Sequence, residues 1–134
     1  MQVYLHEWSA KVSVSIGADG LFVYPHRAAW RDDADHDAVL FFASELPVGF
    51  ALARCEAPGT WLVDEMFIVA GERRKGCGAE AFDALTARHP GRWTLTVRPE
   101  VPEALAFWRS VVGEAPTEEL GADGLLRHRF TFVR

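Results

Sequence analysis

The feature that most restricts this chain is the run of elements between residues 60 and 98. Over 60–69, Trp61, Val63, Glu65, Phe67 and Val69 recur at the two-residue period of a strand, which predicts that Glu65 shares a mostly apolar face and that Asp64 faces the other way. Residues 76–89 carry Phe82 and Leu85 three apart among many alanines, a helical composition that stops at Pro90-Gly91. Trp93, Leu95 and Val97 then alternate with Thr94 and Thr96 until Pro99, which predicts a second strand over 92–98. A strand, a helix and a strand joined over about 40 residues normally place the two strands side by side, parallel, with a right-handed crossover.

The flanking segments extend that unit. Short apolar runs at 38–43 and 48–53, joined by Ser44-Glu45-Leu46-Pro47, predict an antiparallel hairpin. Ala104, Phe107, Trp108 and Val111 fall at i, i+3, i+4 and i+7 and predict a second helix over 102–112. Leu126, His128, Phe130 and Phe132 alternate with Arg127, Arg129 and Thr131, closing the chain with a strand. Within residues 1–33 only Val12, Val14 and Ile16 alternate as in a strand. The expected class is α/β (α+β): a mixed sheet with antiparallel N-terminal strands, a central parallel strand pair and flanking helices, in one domain over 1–134. At 134 residues and 49% hydrophobic, the chain is long enough to bury a core without disulfides or metal.

Composition removes several function classes. Fourteen Lys and Arg against nineteen Asp and Glu give a net charge of −5, contrary to a nucleic-acid binder, whose affinity comes from neutralising phosphates. The two cysteines, Cys55 and Cys77, form neither a disulfide framework nor a metal-ligand set, and no metal site is expected. The acidic run at 32–37 lacks the glycine and distal glutamate of a calcium loop and reads as a solvated turn, one that also suits the mouth of a site for a cationic substrate. The longest clean apolar run, 38–43, is far below the roughly 20 residues of a membrane helix, and the first seven residues do not resemble a secretory signal. A cytoplasmic protein with reduced thiols is the expectation.

The richest stretch is Val69-Ala70-Gly71-Glu72-Arg73-Arg74-Lys75-Gly76-Cys77-Gly78-Ala79. A strand ends, three bases follow, and two glycines open a helix. Unpaired amides at the helix start, the positive end of its macrodipole and cationic side chains together suit a phosphate or pyrophosphate, although the same residues also serve as a solvated basic turn. Other phosphate motifs are absent: there is no GxxxxGK[ST], and Ala81 stands where a dinucleotide fingerprint has its third glycine.

Arg73-Arg74-Lys75-Gly76-Cys77-Gly78 resembles the [Q/R]-x-x-G-x-[G/A] loop of the GNAT superfamily of acyl-CoA-dependent N-acyltransferases. The context agrees over about residues 38–134: a long strand before the loop, a helix after it, a strand at 92–98, and Ala104-Leu105-Ala106-Phe107-Trp108 in the next helix. The resemblance implies that strands 60–69 and 92–98 splay apart, with the pantetheine arm of acetyl-CoA in the gap against the backbone of Phe67, Ile68 and Val69. It implies a pyrophosphate over Arg73, Arg74, Lys75, Gly76, Cys77, Gly78 and Ala79, and Phe107 beside the thioester. It further implies acetyl transfer to a small-molecule or peptide amine in one ternary complex, acetyl-CoA being the co-substrate, and allows a homodimer. Val101 and Trp108 depart from the Asn and Tyr frequent in the family, so the usual general acid is missing, since an indole cannot give up a proton usefully.

A thiol of pKa about 8.5 leaves as thiolate near pH 7 at a cost of roughly 2 kcal/mol, so an acid is dispensable. An amine of pKa about 10.4 is neutral only about once in 2,500 at pH 7, so a base is needed more. Glu65 is the candidate base, acting directly or through water, because an apolar setting raises its pKa; a carboxylate there could instead bind a cationic substrate or sit at a sheet edge. An oxyanion would be held by backbone N–H near Phe67 if the strand bulges there. His128 is the reserve base, Cys77 is expected to pack without covalent chemistry, and Trp30 or Trp61 would wall an acceptor pocket. The alternative reading is an acyl-CoA-binding sensor or interaction module without turnover.

Overall fold

Six strands form one sheet in the order β1-β2-β3-β4-β6-β5, in a computed structural model that describes residues 1–24, 30 and 34–134. The strands are β1 (His36–Ala43), β2 (Leu46–Ala57), β3 (Thr60–Ile68), β4 (Arg92–Val97), β5 (Thr117–Leu120) and β6 (Leu126–Val133). Three α-helices occur among the described residues: α1 (Gln2–Ser9), α2 (Cys77–Arg88) and α3 (Pro102–Val112). Only β3 and β4 are parallel, and the other neighbouring pairs are antiparallel, which is the mixed sheet expected from the crossover between residues 60 and 98.

The helices pack on opposite faces. Under α2 and α3 lies the main core, with Phe82, Leu85 and Trp93 fully buried beside Val63, Leu95 and Phe130. Trp93 enters this core with its polar atom satisfied, donating its indole N–H to the His89 carbonyl at 3.0 Å. The other face carries Phe50, Leu52 and Phe67, closed by Tyr4 of α1, whose ring meets Phe50 and Phe67 edge-on at 5.5 Å each. No helix among the described residues is long and apolar enough to cross a membrane.

The reading of residues 12–16 changes, and a short strand is added near the C-terminus. Residues 12–16 are not a strand of the sheet: Ile16 forms an isolated bridge with Phe22 and is 62% exposed, because no sheet edge lies alongside to take up the backbone groups. Thr117–Leu120 is a strand that its sequence, TEEL, does not announce; pairing with β6 supplies what propensity lacks.

What positions the site is the parting of the two parallel strands. Their ladder runs only from Thr60 opposite Arg92 to Val63 opposite Leu95, whereas β3 continues to Ile68 and β4 to Val97. Beyond Val63 this edge of β3 has no strand beside it, and a gap opens.

On its other edge β3 is held tightly by β2. A Cβ built on Gly49 would stand 2.3 Å from the Phe67 carbonyl oxygen, and that oxygen belongs to backbone and cannot swing away. Gly49→Ala is therefore expected to destabilise the fold by about 1–3 kcal/mol through a forced shift of β3. The measurement is the urea midpoint, with the slope of the transition unchanged.

Candidate active site

A bulge at Asp64 builds the site. In β2 the residues alternate regularly, Phe50 and Leu52 toward α1, Ala51 and Ala53 toward α2 and α3. Leu52 pairs with Glu65 but Ala53 pairs with Val63, so one extra residue is inserted in β3 at Asp64. The insertion reverses the side-chain parity. Trp61 and Val63 pack in the main core, while Phe67 joins Phe50 and Leu52 under α1. Glu65 consequently shares a face with Phe67 but not with Trp61 and Val63, contrary to the simple alternation. Asp64 does not turn away from it either: its carboxylate pairs with Arg54, a residue two beyond Leu52 in β2, at 3.4 Å.

Glu65 accepts hydrogen bonds from the phenols of Tyr4 and Tyr24. Burial pushes its carboxyl up to about 7, the Tyr4 hydrogen bond opposes this, the Asp64 carboxylate adds to the rise, and Tyr24 and Arg98 lower it. Burial and the adjoining Glu65 carboxylate push the Tyr4 phenol well above its ordinary value, so it stays protonated and acts as a fixed donor. Neither tyrosine is a candidate on sequence grounds, because each meets Glu65 only through a tertiary contact spanning more than forty positions.

Two cavities meet at this carboxylate. One, about 350 Å³, occupies the gap between β3 and β4 and is bordered by Val63 to Met66, Leu95 to Arg98, Val101 just before α3, and Ala104 and Trp108 of α3. The other, about 340 Å³, lies under α1 between Leu5, Val12, Val14 and Tyr24. Tyr4, Trp8, Glu65 and Arg98 border both.

The gap is lined on one side by open backbone. The Val69 amide donates to the Val48 carbonyl at 2.8 Å, toward β2, so the two-residue alternation sends Phe67 the same way and turns the amides of Met66 and Ile68 into the gap. The bulge lies at Asp64, three residues before Phe67. Ile68 and Phe67 are buried, and the Ile68 carbonyl accepts the Arg73 Nε at 2.7 Å.

At the end of β3 the chain makes a 3-10 turn (Ala70–Glu72) and a loop in which Arg74 and Gly76 hold φ of 61° and 90°. The amides of Arg74, Lys75, Gly76, Cys77 and Gly78 donate to no backbone carbonyl among the described residues, whereas Ala79 returns to Gly76 at 2.9 Å. Such a row of free amides ahead of a helix has the geometry that suits an anion. The three bases differ. Arg73 is committed to structure through Ile68, the Glu7 carboxylate at 2.6 Å and the Phe67 ring at 5.3 Å. Arg74 and Lys75 are exposed, Lys75 with Glu72 at 3.1 Å.

Other candidates lie elsewhere. Phe107 rests on the helix junction, where a Cβ on Gly78 would come within 3.0 Å of its ring; the α3 side chain that borders the gap is Trp108. Gly78 is thus also a helix-packing residue, and enlarging it disturbs the seat of α3. Cys77 is the first residue of α2. His128 faces Glu118 at 4.0 Å and borders neither cavity. Trp61 stacks on His89 at 3.7 Å and Trp30 packs against the Phe50, Leu52 and Phe67 cluster, so the tryptophans at the cavities are Trp8, which borders both, and Trp108, which borders the gap. Of the acidic run, Asp32 and Asp33 lie outside the described residues and Asp37 pairs with Arg88 and His89. No group of metal-ligating side chains occurs among the described residues.

No protein-family model and no curated protein matches the sequence. Solved structures do match the fold. An acetyltransferase from Thermus thermophilus superposes with a TM-score of 0.66 at 19% identity, over 80% of this chain and 70% of that one. A structure assigned to the GNAT family of acetyltransferases, from Bacteroides thetaiotaomicron, gives 0.62 at 13% identity, over 98% and 82%. An aminoglycoside acetyltransferase in complex with coenzyme A and kanamycin gives 0.62 at 15% identity, over 75% and 67%. The fold is that of the GNAT acetyltransferases.

The raised pKa of Glu65 makes it a destabilising residue at neutral pH. Below about 4.5 the folded and unfolded chains both hold the proton; between 4.5 and 7 the unfolded chain loses it first, so stability falls as pH rises, by about 3 kcal/mol once pH exceeds 7. Glu65→Gln removes this titration. Relative to wild type the variant should gain about 3 kcal/mol between pH 4 and pH 8, read from urea unfolding at the two pH values; a constant difference would contradict the burial of this carboxyl.

Proposed function

We propose that this GNAT-fold chain is an N-acetyltransferase that moves the acetyl group of acetyl-CoA to a primary amine by direct attack in a ternary complex. The observation that carries the reading is the half-buried Glu65 carboxylate at the junction of two cavities, one running along an unpaired strand edge toward a loop of free amides. The similarity to acetyltransferase structures, one of them holding coenzyme A, supports the same reading.

In this scheme the amides and cationic side chains of residues 73–79 hold the pyrophosphate, and the gap-facing backbone of Met66 and Ile68 pairs with the pantetheine amides. Phe67 and Val69 bound the same groove from β3, and Phe107 supports it through α2 and α3. The amine enters from the cavity under α1. Glu65, ionised, takes a proton from the amine nitrogen as that nitrogen bonds to the thioester carbonyl carbon. The C–S bond then breaks and the thiolate departs to take a proton from solvent. A backbone amide on the gap edge holds the oxyanion. Tyr4 is a positioning residue: its fixed hydrogen bond orients the carboxylate and keeps its pKa at working pH. Trp108 and Val101 border the thioester side with no proton to give, in keeping with a leaving group that needs none.

Those same two residues favour a second reading, a coenzyme A thioester sensor without turnover. Thiol release from acetyl-CoA across a library of primary amines separates the two. For the enzyme, Glu65→Gln should lower kcat/KM at least about a hundredfold and abolish the rise of rate through pH 7; tight acetyl-CoA binding with no thiol release on any amine selects the sensor. Replacing Arg74 and Lys75 together by Gln should weaken coenzyme A binding about tenfold in titration calorimetry without moving Tm, because neither side chain supports the fold. Unchanged affinity would place the pyrophosphate elsewhere.

A further inference from the structure

From the presence of Glu65 and Arg98 on the wall of one cavity under α1, we infer that the amine acceptor also carries a carboxylate, an amino acid with an apolar side chain being the class that fits. The inference rests on the acetyl-transfer reading and specifies its acceptor. Arg98 follows directly on β4, is partly buried, and borders both cavities. Its guanidinium has no hydrogen-bond or ion-pair partner among the described residues, although Glu65 is close enough to feel its charge. Arg54, Arg73, Arg88, Arg127 and Arg129 each meet a carboxylate, and Arg74, Arg92 and Arg109, which do not, are exposed to solvent where Arg98 is partly buried.

A guanidinium drawn partly out of water without a partner is costly, and its planar fork suits a carboxylate bound by two parallel hydrogen bonds. Glu65 receives the amine and Arg98 the carboxylate of one molecule. The rest of the wall sets Leu5, Val12 and Val14 and the rings of Tyr4, Trp8 and Tyr24 beside the single hydroxyl of Ser13, and the volume of about 340 Å³ suits one amino acid rather than a folded polypeptide segment. A polyamine is disfavoured by the same geometry. It would meet a single carboxylate and a fixed positive charge.

The test compares phenylalanine, 2-phenylethylamine, which lacks only the carboxylate, and spermidine. Thiol release gives kcat/KM for each, and titration calorimetry in the presence of coenzyme A gives binding without turnover. The wild type should favour phenylalanine over 2-phenylethylamine at least tenfold, mostly in KM. Arg98→Gln should bring that ratio to near one, and Arg98→Lys should retain part of it. A ratio measured within one variant is insensitive to partial loss of folded protein. Turnover with no preference for the carboxylate, or a preference that survives Arg98→Gln, overturns the inference and leaves acetyl transfer standing. Carboxylate-dependent binding without thiol release keeps the inference and overturns catalysis. Absence of both binding and release on all three probes overturns both.

Discussion

One inserted residue in β3 governs this architecture. At Asp64 the strand gains a residue relative to β2, and the side-chain parity reverses between Val63 and Glu65. Upstream, β3 contributes Trp61 and Val63 to the core beneath α2 and α3; downstream, it turns Glu65 and Phe67 to the opposite face. The same position marks the end of the ladder with β4. A bulge adds twist and bend to a strand, so the reversal of parity and the departure of β3 from β4 are two results of one local event. Without it a carboxylate would project into the apolar core, and no gap would run beside its backbone.

The N-terminal helix completes what the bulge begins. α1 lends Tyr4 and Trp8 to the border of the gap and is tied at three points: Tyr4 to Glu65 on β3, Glu7 to Arg73 in the loop, and, just beyond its end, Lys11 to Glu103 at the start of α3. The two ion pairs are exposed and individually weak, so their role is to set the position of the helix rather than to stabilise the chain. The tie through Tyr4 is different in kind, because it places a protonated donor against a buried carboxyl and leaves a cavity on each side. Arg73 illustrates how one residue can belong to a cationic loop by sequence and to the scaffold by contact. Its fork is spent on Ile68 and Glu7, which leaves Arg74 and Lys75 as the exposed positive charge of the loop.

Much of this is legible in the sequence. The two-residue period of β3 and β4, the alanine-rich α2 between glycine and proline, and the amphipathic α3 are local patterns, and each element forms within a residue or two of its expected limits. The loop from Arg73 to Ala79 is recognisable because glycines, bases and a helix start must be contiguous in the chain to make an anion cradle. Glu65 is a half-buried carboxylate on a face it does not share with Trp61. Alternation counts residues and cannot see a bulge, which depends on the register of a neighbouring strand. Tyr4, Tyr24, Trp8 and Arg98 carry no local signal at all. The short polar β5 has none either, and is a strand only because β6 lies beside it.

The sequence by itself determined the elements, their order, the parallel step and the cationic loop, since these follow from periodicity, composition and chain connectivity over short distances. Only the tertiary structure decided where β3 and β4 part, which face Glu65 takes, and which distant side chains surround it. Those depend on register and burial, quantities defined between segments, and a carboxylate acquires a pKa of about 7 from the company it keeps rather than from its place in the chain.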